Sequence, residues 1–586
     1  MTRRTEELKE EKRKGKGTEE ERKISHYRLA RLMFGLETPL LIIMKFAIHR
    51  SHLPKHKLLS SYPIMSDSKG NAVESGSVRH GQQAFEALPN NTHRNWWQDE
   101  GLRWLTFFQL TGYAGTINSG YDSSLMNGLL TIPFFNAAID HASGTRLGLI
   151  TAGYPLGSLL AFQLAAWVSD RFGRKRAIMY GAVITIIATL CQGLTRGPWA
   201  LFGTRIILGI GTAFEIVAAP TIVAEITHPR TRAQSSALTQ TCYYLGSIVA
   251  AWVTFGTLTL NSDWSWRIPI LLQVVPPLFQ LSLLWWCPES PRWLLRVGRR
   301  AEALDTLAKY HANGVIEDPL VQFELNEIEA AIALETSMTS QSSYKAFIQT
   351  KGNRHRMWIL VSLGFVSQWV GMGVISYYFA AILRSIGIID PTQQAGLNGG
   401  LQVWNWCLAI SGALAVERLG RRPLWLISTG GLLCTFIVVT ACSAVYANTE
   451  SKAAGYVVVA FLFLFSGFFG IAYTPMGYSY PIEILPFGLR AKGHALSQTC
   501  VFIALFFNQF VNPIALDSIG WKYYIVFIVI CALQFVNIYF TFPEVKGRTL
   551  EEIAEVFDGV SIVPPETEIA IDDVWVNEDK LAAEKM

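Results

Sequence analysis

The sequence predicts an all-α membrane protein of twelve spanning helices, arranged as two six-helix bundles joined by polar linker helices. Three observations predict it. Apolar runs of about 20 residues recur along the chain, and that is the length a helix needs to cross the hydrocarbon core of a bilayer. Short charged motifs recur in the same order in the two halves. Lys and Arg crowd into every second loop, about twenty against about six in the alternate ones, which assigns the loops to two sides of a membrane and puts both termini on the cytoplasmic side. The 586 residues are 50% hydrophobic and only 16% charged, whereas a soluble domain carries about 25% charge. The net charge of +5 is therefore a matter of topology and does not point to nucleic acid.

Taken in order, the runs predict spans at 104–130, 147–168, 177–194, 199–224, 236–258 and 268–287, then at 358–383, 397–416, 424–446, 455–478, 495–514 and 523–542. Between the sixth and seventh lies a polar connector, 288–356. Its stretches "GRRAEALDTLAKYHANG" and "VQFELNEIEAAIALE" alternate as amphipathic helices do, so it reads as cytoplasmic linker helices. The domain reading is an N-terminal tail at 1–102, bundles at 103–287 and 357–542, the connector at 288–356, and a C-terminal tail at 543–586. The tail opens with "MTRRTEELKEEKRKGKGTEEERK", a mixed-charge run of the disordered kind, and residues 1–64 read as an upstream extension ahead of Met65.

The repeat is explicit. "SDRFGRKR" (Ser169–Arg176) pairs with "VERLGRRP" (Val416–Pro423), and "EITHPRTRA" (Glu225–Ala233) with "EILPFGLRA" (Glu483–Ala491). "PESPRWL" (Pro288–Leu294) pairs with "PEVKGRTLEEI" (Pro543–Ile553). A two-fold repeat in a twelve-span chain points to a transporter whose site lies at the midplane between the halves. The eight cysteines include no CxxC pair and read as small buried apolar residues, without disulfide, metal or cofactor. No HExxH, Walker loop or GxSxG elbow is present, so an enzyme reading has little support.

These motifs resemble the sugar porter family of the major facilitator superfamily over about Arg103–Phe557. "SGYDSSLMNGL", "CYYLGSIVAAWVTFGT" and "FNQFVNPIALDSIGWKYY" are closest to fungal permeases of the lactose and cellodextrin type. The resemblance implies the major facilitator fold, residence in the plasma membrane, a monomer in the lipid bilayer, and alternating access by two rocking bundles around a small-molecule sugar. It also implies a gating network of Arg174, Glu225 and Glu289 in the first half and Arg421, Glu483 and Glu544 in the second. An Arg guanidinium can hold a carboxylate by two parallel hydrogen bonds, which gives such clusters a physical basis. The competing reading is plain positive-inside charge.

Asp122 is the only charge between Arg103 and Asp140. A carboxylate at mid-span costs roughly 2.5–3.5 kcal/mol on insertion scales, and such residues are seldom idle. The resemblance pairs Asp122 of span one with Arg205 of span four and implies a proton as the second partner. For the sugar it implies Gln240, Gln368, Tyr377, Asn405 and Tyr478: amides donate and accept at hydroxyl groups, and rings cover the apolar face of a pyranose. Each amide could instead satisfy a neighbouring helix. Met372, Ser247 and Val501 stand where relatives often carry amides, leaving a less polar pocket and an open substrate identity. Glu215, a second charge in span four, reads equally as a buried pairing or a substrate contact. The leading expectation is a proton-coupled importer of a hexose or disaccharide. A passive facilitator and a transporter-like nutrient sensor are the alternatives.

Overall fold

The computed structural model describes residues 89–93, 96–341, 344–546 and 550–558. The extension read at 1–64 and the acidic end of the C-terminal tail lie outside them. The first half contains α1 (Glu100–Leu129), the short α2 (Pro133–Ala138), α3 (Gly144–Phe172), α4 (Arg174–Leu194), α5 (Pro198–Ile226), α6 (Arg232–Thr257), α7 (Trp264–Leu272) and α8 (Val275–Leu284). The connector forms α9 (Pro291–Arg296), α10 (Arg300–His311), α11 (Pro319–Gln341) and α12 (Ala346–Gln349). The second half contains α13 (Lys351–Trp369), α14 (Met372–Ser385), α15 (Pro391–Leu419), α16 (Arg421–Thr449), α17 (Lys452–Glu483), α18 (Arg490–Ile519) and α19 (Tyr524–Thr541). A final helix, α20 (Leu550–Asp558), lies on α13, where Arg356 pairs with Asp558 at 3.0 Å.

Two predicted spans are broken helices. The sixth divides into α7 and α8 at Gln273–Val274, because Pro276 and Pro277 remove the amide protons that Leu272 and Gln273 would have accepted. The seventh divides into α13 and α14 at Gly371, which has φ 100°. By length and hydropathy alone the described helices supply eight spanning segments, of which Trp264–Leu284 and Lys351–Ser385 are the two broken spans and Lys492–Thr541 merges two predicted spans, α18 and α19. The spans that fall short are α1, α6 and α15. Two of these place amides and a carboxyl inward: α1 buries Gln109, Asn118, Asp122 and Asn127, and α15 buries Asn398, Gln402 and Asn405. A span facing protein and water does not need a lipid-like surface. The lipid-facing helices display Leu160, Leu164, Trp285, Trp286 and Phe540 outward.

The halves meet along α3 with α18 and α6 with α15. At the end opposite the basic motifs, Asn127 donates to Asn398 Oδ1 at 3.0 Å and accepts from the Ala380 amide at 3.3 Å. The Tyr378 and Thr151 hydroxyls are hydrogen-bonded at 2.6 Å, and the Gln509 carbonyl lies within reach of both, at 2.9 and 3.1 Å. An apolar cluster containing Tyr121, Leu125, Phe162, Tyr377, Tyr378 and Phe502 spans both halves at this end. Toward the basic end the halves are joined by Gln163, which donates to Thr499 at 3.3 Å in an exposed bond, and by the Tyr244 and Thr474 hydroxyls, 3.0 Å apart.

One cysteine expectation needs correction. Cys242, Cys287, Cys500 and Cys531 are buried, but Cys191, Cys407 and Cys434 are exposed on helix surfaces. An apolar run does not tell the side facing lipid from the side facing protein, because both accept the same residues. All eight are free thiols.

Candidate functional site

The recurring glycine–arginine motifs fix one corner of each half. Gly173 (φ 103°) and Gly420 (φ 93°) hold backbone conformations that disfavour a side chain, and at each a Cβ would press on a glutamate, Glu289 or Glu544. Each glutamate sits at the N-terminus of the helix that follows, where unpaired N–H groups favour an anion. Glu289 Oε1 accepts from the amides of Arg174, Lys175 and Ser290 at 3.0–3.2 Å. Glu544 accepts from Arg421 and Lys546 on Oε1 and from Arg422 on Oε2.

The guanidinium groups hold carboxylates by paired hydrogen bonds. Arg174 grips Glu225 through two bonds, Nε at 2.9 Å and Nη2 at 3.2 Å, and reaches Asp170 at 3.1 Å. Arg421 grips Glu483 in the same way at 3.1 and 3.2 Å. The structure thus brings together Arg174, Glu225 and Glu289, and separately Arg421, Glu483 and Glu544. Each cluster lies within its own half. Both are intact while the halves are tied at the far end.

The two glutamates differ in charge chemistry. Burial pushes Glu289 above the usual carboxylate range, with the amides and Arg174 only partly offsetting it. Burial also opposes ionisation of Glu544, but there the amides of Lys546, Arg421 and Arg422 prevail and hold it below the usual range. Glu544 therefore contributes stability above its unfolded value, about pH 4.3, and loses it as the pH falls through its lower folded value. Glu289 has the opposite sign: its ionised form is disfavoured, and acid relieves the cost. Glu289→Gln keeps an oxygen for all three amides and is expected to leave thermal stability at pH 7 unchanged. Glu544→Gln puts an NH₂ against an amide donor and is expected to cost about 1 kcal/mol. Melting temperatures of the purified variants check both.

At mid-span, Asp122 of α1 and Arg205 of α5 form a buried pair, Nη2 to Oδ2 3.6 Å, each side chain 1% exposed. Their other polar atoms, Asp122 Oδ1 and Arg205 Nε and Nη1, have no partner among the described residues. The guanidinium stands 5.9 Å from the centre of the Tyr154 ring. Gln273, at the break between α7 and α8, is fully buried beside Asp122, with neither amide atom bonded. The pair is thus under-coordinated, so small rearrangements can change which partner each atom takes.

Of the expected sugar contacts, Gln240 and Gln368 are half-buried on the basic side of the closure, and neither side chain bonds to another described residue. Tyr377 is buried beside Ser123 and the Asp122–Arg205 pair. Asn405 is buried with Oδ1 unpartnered. The side chain of Tyr478 falls outside the described residues. Sequence reasoning missed Asn398 and Gln402, although they precede Asn405 at helical spacing on one face of α15. It also missed Gln273, a lone amide in the apolar run "ILLQVVPP", the same kind of signal that Asp122 gives. Two of the expected departures now have a place. Ser247 donates to the Gly120 carbonyl at 2.8 Å, tying α6 to α1. Met372 opens α14 and packs against the apolar core of the second half.

Residues 109–557 match the family model described as "Sugar (and other) transporter". The chain belongs to this family. "MFS-type transporter oryC" of Aspergillus oryzae is 31% identical over 472 residues, covering 78% of this chain and 86% of that protein. "Sugar transporter STL1" of Saccharomyces cerevisiae is 30% identical, covering 79% and 82%. "High-affinity glucose transporter" of Kluyveromyces lactis is 29% identical, covering 75% and 82%. Among solved structures, the partially occluded inward-open xylose transporter XylE of E. coli aligns with a TM-score of 0.65. That alignment has 20% identity and covers 76% of this chain and 100% of XylE. This family member therefore has the major facilitator fold: two six-helix bundles with linker helices between them.

Proposed function

We propose that this sugar transporter imports a hexose or disaccharide across the plasma membrane with a proton, by alternating access. The observation that carries the reading is the buried Asp122–Arg205 pair, a carboxylate and a guanidinium set against each other at mid-span. Arg205 favours the ionised carboxyl and desolvation favours the neutral acid. Rocking of the halves changes the balance, so Asp122 takes a proton on one face and loses it on the other. Arg174, Glu225, Glu289, Arg421, Glu483 and Glu544 brace the cytoplasmic ends of the spans that rock. Gln240, Gln368, Tyr377, Asn405 and Tyr478 supply the sugar contacts. Half-exposed amides beyond the Asn127–Asn398 and Thr151–Tyr378–Gln509 ties fit a conformation open to the cytoplasm. The basic end and both termini are cytoplasmic by the distribution of Lys and Arg, and the working unit is the monomer. Relatives named as glucose transporters, and a protein of the same fold named as a proton:xylose symporter, agree with this reading.

The test is uptake of labelled D-glucose, D-xylose and cellobiose by proteoliposomes under an imposed inward proton gradient. Accumulation of at least one sugar, collapsing on addition of an uncoupler, is the expected result. Uncoupler-insensitive equilibration would identify a facilitator, and absence of any flux would favour a sensor.

A further inference from the structure

Glu215 sits in α5 midway between Arg205 and Glu225, ten residues or about 15 Å of helix from each. Its side chain is 1% exposed. Oε2 accepts one hydrogen bond, from Asn118 Nδ2 of α1 at 3.0 Å, and Oε1 has no partner among the described residues. From α4 it faces the Thr185 hydroxyl, and Gln280 of α8 borders it across Gly115. No cation lies within ion-pair distance among the described residues. On α3, Tyr154 lies at the level of Arg205, and on α6 Cys242, Tyr243 and Tyr244 make no hydrogen bond to Glu215. Arg292 and Arg296 of α9 line a pocket at the basic end with Asp170 and Glu225, Arg296 pairing with Asp170 at 3.4 Å.

Asn118 is one helical turn from Asp122 on α1, toward the basic end, about 6 Å along the axis. Glu215 therefore stands next in line to Asp122 on the side toward the basic end, while the opposite end is closed. An isolated carboxylate in such a site costs several kcal/mol, whereas the carboxylic acid does not. A tie to Asn118 needs only an amide or hydroxyl, so a carboxyl here calls for another reason.

We propose that Glu215 is a second proton-carrying group, receiving the proton from Asp122 and releasing it to water at the basic end. In the step, the Asp122 acid becomes the carboxylate that pairs with Arg205, and the Glu215 carboxylate becomes the acid. As the halves rock and water reaches Glu215, the acid returns to carboxylate and the proton enters the aqueous phase. No other bond changes. The inference rests on the proton-coupled reading of Asp122.

Glu215→Gln keeps the acceptor for Asn118 and removes the proton site, so it separates carrying from clamping. Wild type, Glu215→Gln, Glu215→Asp and Asp122→Asn are compared in proteoliposomes with labelled D-glucose and D-xylose. Gradient-driven uptake by Glu215→Gln is expected to fall roughly a hundredfold, the low end of proton-transfer contributions. Gradient-free exchange should stay within about twofold, well under the ~1.4 kcal/mol that a tenfold change represents. Glu215→Asp should restore part of the uptake. Infrared spectra across pH should lose one carboxylic-acid C=O band in Glu215→Gln and a different one in Asp122→Asn. Gradient-driven uptake equal to wild type, equal loss of exchange and uptake, or no missing band would each overturn the proposal. A wild type that never responds to the gradient would defeat the proton-coupled reading itself. A coupled wild type matched by Glu215→Gln would defeat only this inference.

Discussion

Asp122→Asn is expected to convert accumulation into equilibration. One charge entering down about 100 mV supplies roughly 2.3 kcal/mol, and one pH unit adds about 1.4 kcal/mol. Together they could support accumulation of several hundredfold, and the variant should end near an inside-to-outside ratio of one. Asn cannot exchange a proton in the working range, yet it keeps the size and hydrogen-bonding reach of the side chain. The substitution leaves Arg205 as an unpaired buried cation, and breaking such a pair costs about 3–5 kcal/mol. Loss of uptake could then reflect loss of fold. A double variant, Asp122→Asn with Arg205→Gln, removes both charges; it is expected to recover melting temperature without recovering accumulation. Measured ratios of labelled sugar, with and without uncoupler, decide the matter. Persistent accumulation in Asp122→Asn would remove Asp122 from the coupling step.

Gly120→Ala is expected to cost about 1–3 kcal/mol of stability, as overpacking in a close-packed interior does. At the crossing of α1 and α6, a Cβ on Gly120 would overlap the Tyr243 carbonyl, and one on Gly246 would overlap the Ile117 carbonyl. Backbone cannot rotate aside as a flexible side chain can, so the helices must separate. Separation would also stretch the Ser247 bond to the Gly120 carbonyl and move Asp122, two residues away. Gly203 is the control. It lies in α5 with open space around it, and Gly203→Ala is expected to be neutral or to stabilise by less than about 1 kcal/mol. Thermal denaturation in detergent, followed for the three proteins side by side, reads both effects.

The same stretch, "GYDSSLMNG", shows how far the sequence reaches. Asp122 was legible because a charge inside an apolar run is costly, and cost implies purpose. The second role of that run was not legible. Gly120 looks like any glycine until α6 is laid across it, and Asn127 looks like a helix-end amide until Asn398 arrives from the other half. The same limit explains Gln273. A lone amide in an apolar run marks a buried group, but its neighbour is set by where the broken sixth span comes to lie.

The sequence by itself determined the class of protein, the two-fold repeat, the sided distribution of charge, and the pairs of motifs at the basic end. These follow from composition and period, which act locally along each helix. Only the tertiary structure decided how the motifs pair. Glu289 and Glu544 accept from the amides that open α4 and α16, beside the arginines, while Glu225 and Glu483 take the guanidinium groups. Only the tertiary structure could place Glu215 against Asn118 with no cation beside it among the described residues. Partners in a bundle come from helices far apart in sequence, and the angle at which two helices cross depends on small residues and carbonyls that no single helix reveals.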